Sequence, residues 1–243
     1  RAIMALYSSV MNVNFVEVQE TTSTIGYIRF MDSTAPSYAY AYYPASSAMF
    51  STSGDVHLNV SYDRLGDTNG FQHPAGQHGY VSIIHEVGHA VGLKHPHSDS
   101  PNLPAEEDNF ARTVMTYNFL GNSRGTMMGY DLMALHYLYG ARASRTGNDN
   151  YVVTRTALDQ YRLDTAYYVT PSNTTKHTIW DSGGYNTLDL SEVTGNSNGY
   201  RIDLQPLGWI SSMPAYQTTY FVSGLSLGPN VSIRRVVNSV SKD

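Results

Sequence analysis

Hydrophobic residues recur at helical spacing in three stretches of the chain, 1–12, 80–92 and 128–139. This spacing places the apolar side chains on one face of a helix, where they can cover a core. Gly92 and Gly140 close the second and third stretches, as glycine often does at a helix C-terminus. The stripes consist of Ile3, Tyr7, Val10 and Met11, then Ile84, Val87, Gly88 and Val91, and finally Leu132, Leu135 and Tyr139. The pattern therefore predicts three α-helices.

Runs rich in β-branched and aromatic residues predict strands between and after these helices. Before the second helix the runs cover 13–18, 25–31, 38–43 and 55–62. After residue 141 the composition changes to short strand-like runs separated by turn-forming residues. These later runs cover 167–170, 178–180, 187–190, 200–204, 220–222 and 231–233. We therefore predict an α+β fold, with a first domain at 1–141 and an all-β second domain at 142–243.

The second helix carries residues with the spacing of metal ligands. His85 and His89 are four positions apart, so they share one helix face and can bind one ion together. Glu86 lies about 100° further round the helix, where it can reach a water on that ion without becoming a ligand. Gly92 accepts the left-handed conformation that ends a helix, which allows His95 to approach from another direction. Three neutral imidazoles and one open position predict a catalytic zinc site.

The full pattern, H-E-x-x-H-x-x-G-x-x-H, resembles that of the metzincin metalloproteases. Pro96 after the third histidine is similar to the serralysin type, and residues 114–117, V-M-T-Y, resemble the serralysin Met-turn. Weaker similarities to serralysins lie at 130–135, 138–141, 145–147 and 180–184. The resemblance implies a metzincin-like catalytic domain with a twisted, mostly parallel sheet, an edge strand, a zinc helix and a Met-turn. The second domain resembles the start of the serralysin C-terminal β-roll region but lacks the nonapeptide calcium repeats.

The resemblance also implies a role for each site residue. Glu86 takes a proton from zinc-bound water as it attacks the peptide carbonyl, and returns it to the leaving amine. Tyr117 ligates the free zinc and then stabilises the developing oxyanion. Met115 forms an apolar floor beneath the zinc. An edge strand pairs with extended substrate, and it corresponds to Asp55, Val56, His57, Leu58 and Asn59.

A calcium site is the second metal site that the resemblance implies. The matching positions are Arg145, Gly147, Asp181 and Gly183, and Asp149 is a nearby carboxylate that can join them. Asn186 stands where the family usually has an aspartate, and Arg234 lies in a segment that normally carries a glutamate. Both differences remove negative charge, so we expect at most one weakened calcium site. A turn without metal is the alternative.

Composition excludes several classes of function. The chain has no cysteine, so disulfides, thiolate catalysis and cysteine-ligated zinc are ruled out. A net charge of -5 and the lack of a Lys/Arg cluster argue against nucleic-acid binding. No apolar run is long enough to span a bilayer, so we expect a soluble chain. The resemblance to serralysins implies a secreted protein, and we expect a monomer. His73 and His78 precede the zinc helix, but loop histidines are usually solvated, and we expect no metal role for them.

These features favour a secreted, broad-specificity zinc endopeptidase whose partners are polypeptide substrates. Two alternatives stay open, a metzincin of another family and a non-proteolytic zinc-binding adhesion or scaffold module. Because the first helix starts without a capping residue, we also expect lost upstream residues, with a pro-segment or a protein inhibitor as a further partner.

Overall fold

A computed structural model describes residues 1–45, 52–98, 100–121, 123–154, 161–163, 166–168, 175–193, 199–212 and 224–238. Within these residues the α-helices are α1 (Ala2–Val10), α2 (His78–Ala90) and α3 (Gly129–Tyr139). All three helices match the stretches predicted from hydrophobic spacing, and the α+β class is confirmed. A short 3-10 helix, Val60–Tyr62, occupies the end of the run that was predicted as one strand over 55–62.

The sheet next to α2 contains β1 (Phe30–Ser33), β2 (Ala39–Ala41) and β3 (Val56–Asn59), in the order β1-β3-β2. Strand β3 pairs in parallel with β1 and antiparallel with β2. The prediction of a substrate-binding edge strand at 55–59 is therefore wrong, because both edges of β3 carry strand partners. Among the described residues, β1 and β2 are the outer strands of this sheet, each with one free edge. One parallel and one antiparallel pair also do not make the mostly parallel sheet that was predicted.

Two early strand predictions failed for a common reason. Residues 13–18 form no strand, and the run at 25–31 is strand only from Phe30 onward. Val16 is 78% exposed and Ile25 is 62% exposed, so these β-branched side chains meet no packed sheet face. Strand propensity reflects fit to a half-buried pleated surface, and it fails where no such surface is available.

The C-terminal part is built from strands, as predicted. They are β4 (Asn150–Val153), β5 (Tyr161–Leu163), β6 (Ala166–Tyr168), β7 (Lys176–Ile179), β8 (Asn186–Asp189), β9 (Tyr200–Ile202), β10 (Trp209–Ser212), β11 (Gly224–Leu227) and β12 (Ile233–Val237). The sheet orders are β7-β11-β10-β9 and β12-β8-β4-β5-β6. Predicted runs coincide with β7, β8 and β9 and overlap the ends of β6 and β12. Strands β4, β5, β10 and β11 were not predicted, and the run at 220–222 lies outside the described residues.

One hydrophobic cluster connects the helices with the C-terminal strands. Tyr7 and Ile84 from the helical part share this cluster with Tyr151, Ile210 and Leu225 from the strands. A smaller cluster around Val56, Leu58, Phe71 and Ala90 fixes β3 against α2. The division of the chain into two domains between residues 141 and 142 stays a prediction. In the part of the chain that the structure describes, no helix is long and apolar enough to cross a membrane.

Candidate metal centre

Helix α2 and the turn that ends it deliver all three predicted histidines. His85 and His89 lie in the buried face of α2. Gly92 follows the helix with a φ of +98°, a backbone conformation that side chains disfavour. The N–H of Leu93 donates to the carbonyl of Gly88 at 2.8 Å, which reverses the chain and closes the helix. The turn brings His95 back towards the other two imidazoles.

The Nε2 atoms of the three rings converge. Nε2 of His95 lies 3.1 Å from Nε2 of His85 and 3.0 Å from Nε2 of His89. Among the described residues, these three side chains form the one group with metal-ligand geometry, and their ligand atoms all lie within 4.8 Å of one another. Ligands at 2.0–2.1 Å from a tetrahedral zinc are roughly 3.3–3.4 Å apart, close to the separations seen here.

Backbone carbonyls set the tautomers of two of these rings. Nδ1 of His85 lies 2.9 Å from the carbonyl of Val114, and Nδ1 of His89 lies 2.7 Å from the carbonyl of Leu93. Because a carbonyl only accepts, each Nδ1 carries the proton and each Nε2 presents a lone pair. Lone pairs this close repel one another unless a cation lies between them. The donor set and its second-sphere contacts therefore fit a divalent ion that prefers imidazole nitrogen.

Burial keeps the imidazoles neutral. Burial, together with the neighbouring His89, lowers the pKa of His85 to about 3. Burial, with His89 and His97, lowers the pKa of His95 to about 4. Burial also lowers the pKa of His89. The nitrogen lone pairs are therefore available for a metal throughout the neutral range.

Glu86 shares the buried side of α2 with the histidines. Its side chain is 8% exposed, and burial raises the pKa of its carboxyl to about 7. A carboxyl with a pKa near the ambient pH can both accept and release a proton. Glu86 is therefore suited to general base and general acid chemistry.

Tyr117 lies at the open side of the histidine cluster. Its hydroxyl is 2.8 Å from Nε2 of His95, although the residue as a whole is 65% exposed. Its ring packs against the ring of His85 with centroids 5.6 Å apart. Burial of the phenol and the charge of Glu86 raise the pKa of Tyr117, so its hydroxyl stays protonated and can donate.

Met115 packs against α2 at Gly88, between the two helical histidines. A Cβ atom added at Gly88 would lie 2.6 Å from Sδ of Met115, so glycine between the two helical histidines allows this close contact. The turn around Met115 is held by Asp131 at the start of α3. The Asp131 carboxylate accepts hydrogen bonds from the hydroxyl of Thr113 at 2.6 Å and from the N–H of Val114 at 2.8 Å.

Several residues around the site were not assigned a role from the sequence. Arg124 is 4% exposed, and its Nη2 donates to the same Val114 carbonyl that accepts from His85. The ring of Tyr43 meets the ring of His89 edge-on at 5.3 Å, and the ring of His97 stacks on that of His95 at 5.4 Å. The tyrosine-rich run before Pro44 was the available signal for Tyr43, whereas no local pattern identifies Arg124 or a backbone carbonyl.

The residues predicted to bind substrate have structural roles in β3 or next to it. Asp55 is buried and forms an ion pair with Arg29, with Nη2 to Oδ2 at 2.5 Å. Val56 and Leu58 face the smaller core cluster. His57 stacks on Tyr40 with ring centroids 4.5 Å apart. Asn59 caps the 3-10 helix through its side chain.

The two loop histidines lie in local contacts of the segment before α2 and its first turn. Nε2 of His73 is 3.3 Å from the N–H of Gly66, and the ring of His78 stacks on Tyr38. Neither ring belongs to the metal-ligand group.

The candidate calcium residues come together, with several of their polar groups in hydrogen bonds within the protein. Arg145 donates to the carbonyl of Trp180 at 3.2 Å, and the N–H of Asp149 donates to Oδ1 of Asn186 at 3.0 Å. The carboxylate of Asp181 accepts from the N–H of Gly183 and from the hydroxyl of Tyr151. Gly147 packs so closely that a Cβ atom added at Gly184 would lie 1.5 Å from its carbonyl oxygen.

Comparison with known proteins relates the chain to serralysins. It is 28% identical to a serralysin of Proteus mirabilis in an alignment that covers the whole chain and 52% of that protein. It is 31% identical to serralysin A of Dickeya chrysanthemi over 68% of the chain and 34% of that protein. Serralysin B of Dickeya chrysanthemi is 30% identical over 82% of the chain and 43% of its own length. No protein-family model matches the chain.

These similarities support a serralysin-like relationship over much of the chain. The chain spans about half or less of the length of these relatives.

Proposed function

We propose that this chain is a zinc-dependent endopeptidase of the serralysin type. The observation that carries the proposal is the convergence of the Nε2 atoms of His85, His89 and His95, with the buried carboxyl of Glu86 on the same helix as two of them. Zinc suits this set because neutral histidine is its usual ligand and a three-histidine site leaves one position open. The similarity to serralysins supports the same assignment.

Zinc bound by the three histidines would supply Lewis-acid polarisation of a substrate carbonyl and lower the pKa of water. Glu86 takes the proton from the attacking water, because its carboxyl has a pKa of about 7 and ionises near neutral pH. The same carboxyl then returns the proton to the departing amine. Peptide hydrolysis proceeds in this way without an acyl-enzyme.

Tyr117 stabilises the oxyanion that develops on the attacked carbonyl. Its protonated hydroxyl lies 2.8 Å from a ligand nitrogen of His95, so a modest side-chain rotation moves it between the ligand position and a bound carbonyl. Its 65% exposure leaves room for that rotation. Donors of this kind stabilise transition states by a few kcal/mol, about 3 in measured cases.

Strand β2 is the substrate-binding edge in this proposal, in place of residues 55–59. The backbone N–H of Tyr42 donates to the carbonyl of Asp55, and the carbonyl of Tyr38 accepts from the N–H of Asn59. The even-numbered residues of the segment 38–42 therefore direct their backbone groups towards β3. The backbone groups of Ala39 and Ala41 therefore point to the free edge. Pairing with backbone groups selects for extended chains with little dependence on sequence, which supports broad specificity. Secretion is part of the same proposal.

Casein digestion by the zinc-loaded parent and by Glu86→Gln tests this function. Glu106→Gln, on an exposed loop, makes the same chemical change away from the site and serves as the control. We expect Glu86→Gln to retain zinc and lose activity by about 10²- to 10⁴-fold, while the control keeps it. Equal digestion by Glu86→Gln and the parent would contradict the mechanism. A zinc-bound parent that digests nothing would favour the adhesion or scaffold alternative.

A further inference from the structure

The side chain of Asn186 lies at the meeting point of three C-terminal segments, 145–149, 181–186 and 231–233. We call this meeting point the Asn186 junction. Asn186 is 1% exposed. Its Oδ1 accepts from the N–H of Asp149 at 3.0 Å, and its Nδ2 donates to the carbonyls of Gly183 at 2.9 Å and Ser232 at 3.2 Å. One amide therefore connects all three segments.

The orientation of this amide follows from its partners. The N–H of Asp149 only donates, so the oxygen of Asn186 must face it. The nitrogen of Asn186 then faces the carbonyl oxygens of Gly183 and Ser232, which only accept. With an aspartate here, a carboxylate oxygen would lie against two carbonyl oxygens. A cation among these oxygens, or a proton on the carboxylate, would then be needed to offset their repulsion.

The neighbouring carboxylate is also satisfied by protein donors. Asp181 is 1% exposed, and its Oδ1 accepts from the N–H of Gly183 at 3.0 Å while its Oδ2 accepts from the hydroxyl of Tyr151 at 2.5 Å. Burial and the charge of Asp181 raise the pKa of Tyr151, so the phenol stays protonated and keeps donating. A guanidinium also lies close by, since Arg145 donates to the carbonyl of Trp180.

These contacts do not fit a calcium ion. Calcium requires six to eight oxygen ligands with lone pairs directed at the ion. At the Asn186 junction the carbonyls of Gly183 and Ser232 accept amide hydrogens, and the N–H of Asp149 donates to Asn186. Oδ2 of Asp149 is buried and accepts no hydrogen bond from the residues that the structure describes, but one carboxylate oxygen falls far short of the ligand number that calcium requires. The expected aspartate is replaced by an amide, which supplies two N–H groups where a bound cation would be needed.

We propose that the amide of Asn186 takes the place of a metal ion and holds the junction together without calcium. The two carbonyls are neutralised by N–H donors of the protein itself. The stability of the junction is therefore independent of calcium, and a single change to aspartate creates a dependence on it. The proposal does not rest on the enzymatic function.

Thermal unfolding with calcium titration tests the proposal. The parent protein and two variants are freed of metal and reloaded with one equivalent of zinc. The test variant is Asn186→Asp, and the control is Asn12→Asp, which makes the same change at an exposed position. We expect millimolar calcium to leave the melting temperature of the parent and of Asn12→Asp unchanged. Without calcium, Asn186→Asp should melt roughly 5 °C lower, because a carboxylate oxygen faces two carbonyls. Calcium should restore most of that loss.

Two results would overturn the proposal. One is a saturable calcium-induced rise in the melting temperature of the parent, which requires no variant to fold. The other is an Asn186→Asp protein that is as stable as the parent in the absence of calcium.

Discussion

The carboxylate of Asp131 accepts a hydrogen bond from the backbone N–H of Val114 at 2.8 Å, and the carbonyl of Val114 accepts one from Nδ1 of His85. Asp131, a buried acid at the start of α3, is thus connected to the candidate metal ligand His85 through Val114 alone. The same carboxylate accepts from Thr113 and from the N–H of Met128. Asp131 therefore fixes both the turn beneath the metal and the orientation of one imidazole.

Replacing Asp131 with leucine should weaken both stability and zinc binding. Three buried donors lose their acceptor, so we expect the free energy of unfolding to fall by roughly 3–5 kcal/mol. We expect zinc affinity to fall by about 10- to 100-fold through the displaced Val114 carbonyl. Asp131→Asn is the matched control, because its oxygen can keep the two backbone N–H groups and its amide can donate to Thr113. Urea unfolding and competitive zinc titration measure the two effects, and equal values for Asp131→Leu and the parent would refute this role.

Tyr117→Phe separates transition-state stabilisation from binding. The hydroxyl lies 2.8 Å from Nε2 of His95 and the residue is largely exposed, so loss of the hydroxyl should change stability little. We expect kcat to fall by about 10²-fold with KM nearly unchanged, as for other oxyanion donors. Steady-state kinetics on a fluorogenic peptide measures both constants, with zinc content as a check. A variant with the kcat of the parent would remove Tyr117 from the mechanism.

Ala41→Pro tests the substrate edge of β2. Proline removes the N–H that points to the free edge, and edge strands tolerate proline better than central ones. We expect kcat/KM for extended peptides to fall by about 10-fold, as expected for a lost backbone hydrogen bond. Ala41→Ser keeps the N–H and should behave like the parent. Unchanged kcat/KM in Ala41→Pro would mean that substrate does not pair with β2.

The sequence predicted the metal centre far better than its surroundings. His85, Glu86, His89 and His95 are specified by spacing on one helix and a glycine turn, which are local properties. The carbonyls that orient the imidazoles have no sequence signature, since every residue has one. Whether β3 is a central or an edge strand depends on pairing with residues far along the chain, and local patterns do not encode strand order.

The Asn186 junction shows a different limit. The loss of a negative charge at position 186 was visible in the sequence. The compensation by hydrogen bonds to Gly183 and Ser232 depends on how three distant segments meet.

Strand propensity alone was likewise misleading at 13–18, where exposed β-branched residues find no sheet to join.

Lys176 gives the stability of this chain an unusual pH dependence. It is fully buried in β7, its amine donates to the carbonyl of Leu120, and burial with the nearby Arg124 lowers its pKa to about 7. Between pH 7 and 9 the unfolded lysine stays protonated while the folded one has released its proton. Stability therefore rises with pH in this window, by up to about 1.4 kcal/mol per unit.

Lys176→Met should remove most of this rise below pH 8, whereas Arg234→Met, which deletes an exposed cation, should preserve it. Burial also lowers the pKa of Arg124 to about 9, so a smaller rise should remain close to pH 9 in Lys176→Met. Urea unfolding at intervals from pH 7 to 9 measures the slope. A parent whose stability is flat or falls over this range would show that Lys176 is not neutral in the folded state.

Zinc K-edge X-ray absorption of the zinc-loaded protein tests the metal centre most directly, because it reports metal content and ligands together. We predict about one zinc per chain, with three imidazole nitrogens at about 2.0–2.1 Å, and one nitrogen fewer in His95→Gln but not in His73→Gln. A protein that retains no zinc, or one whose zinc ligands are the same in His95→Gln as in the parent, would contradict the assignment.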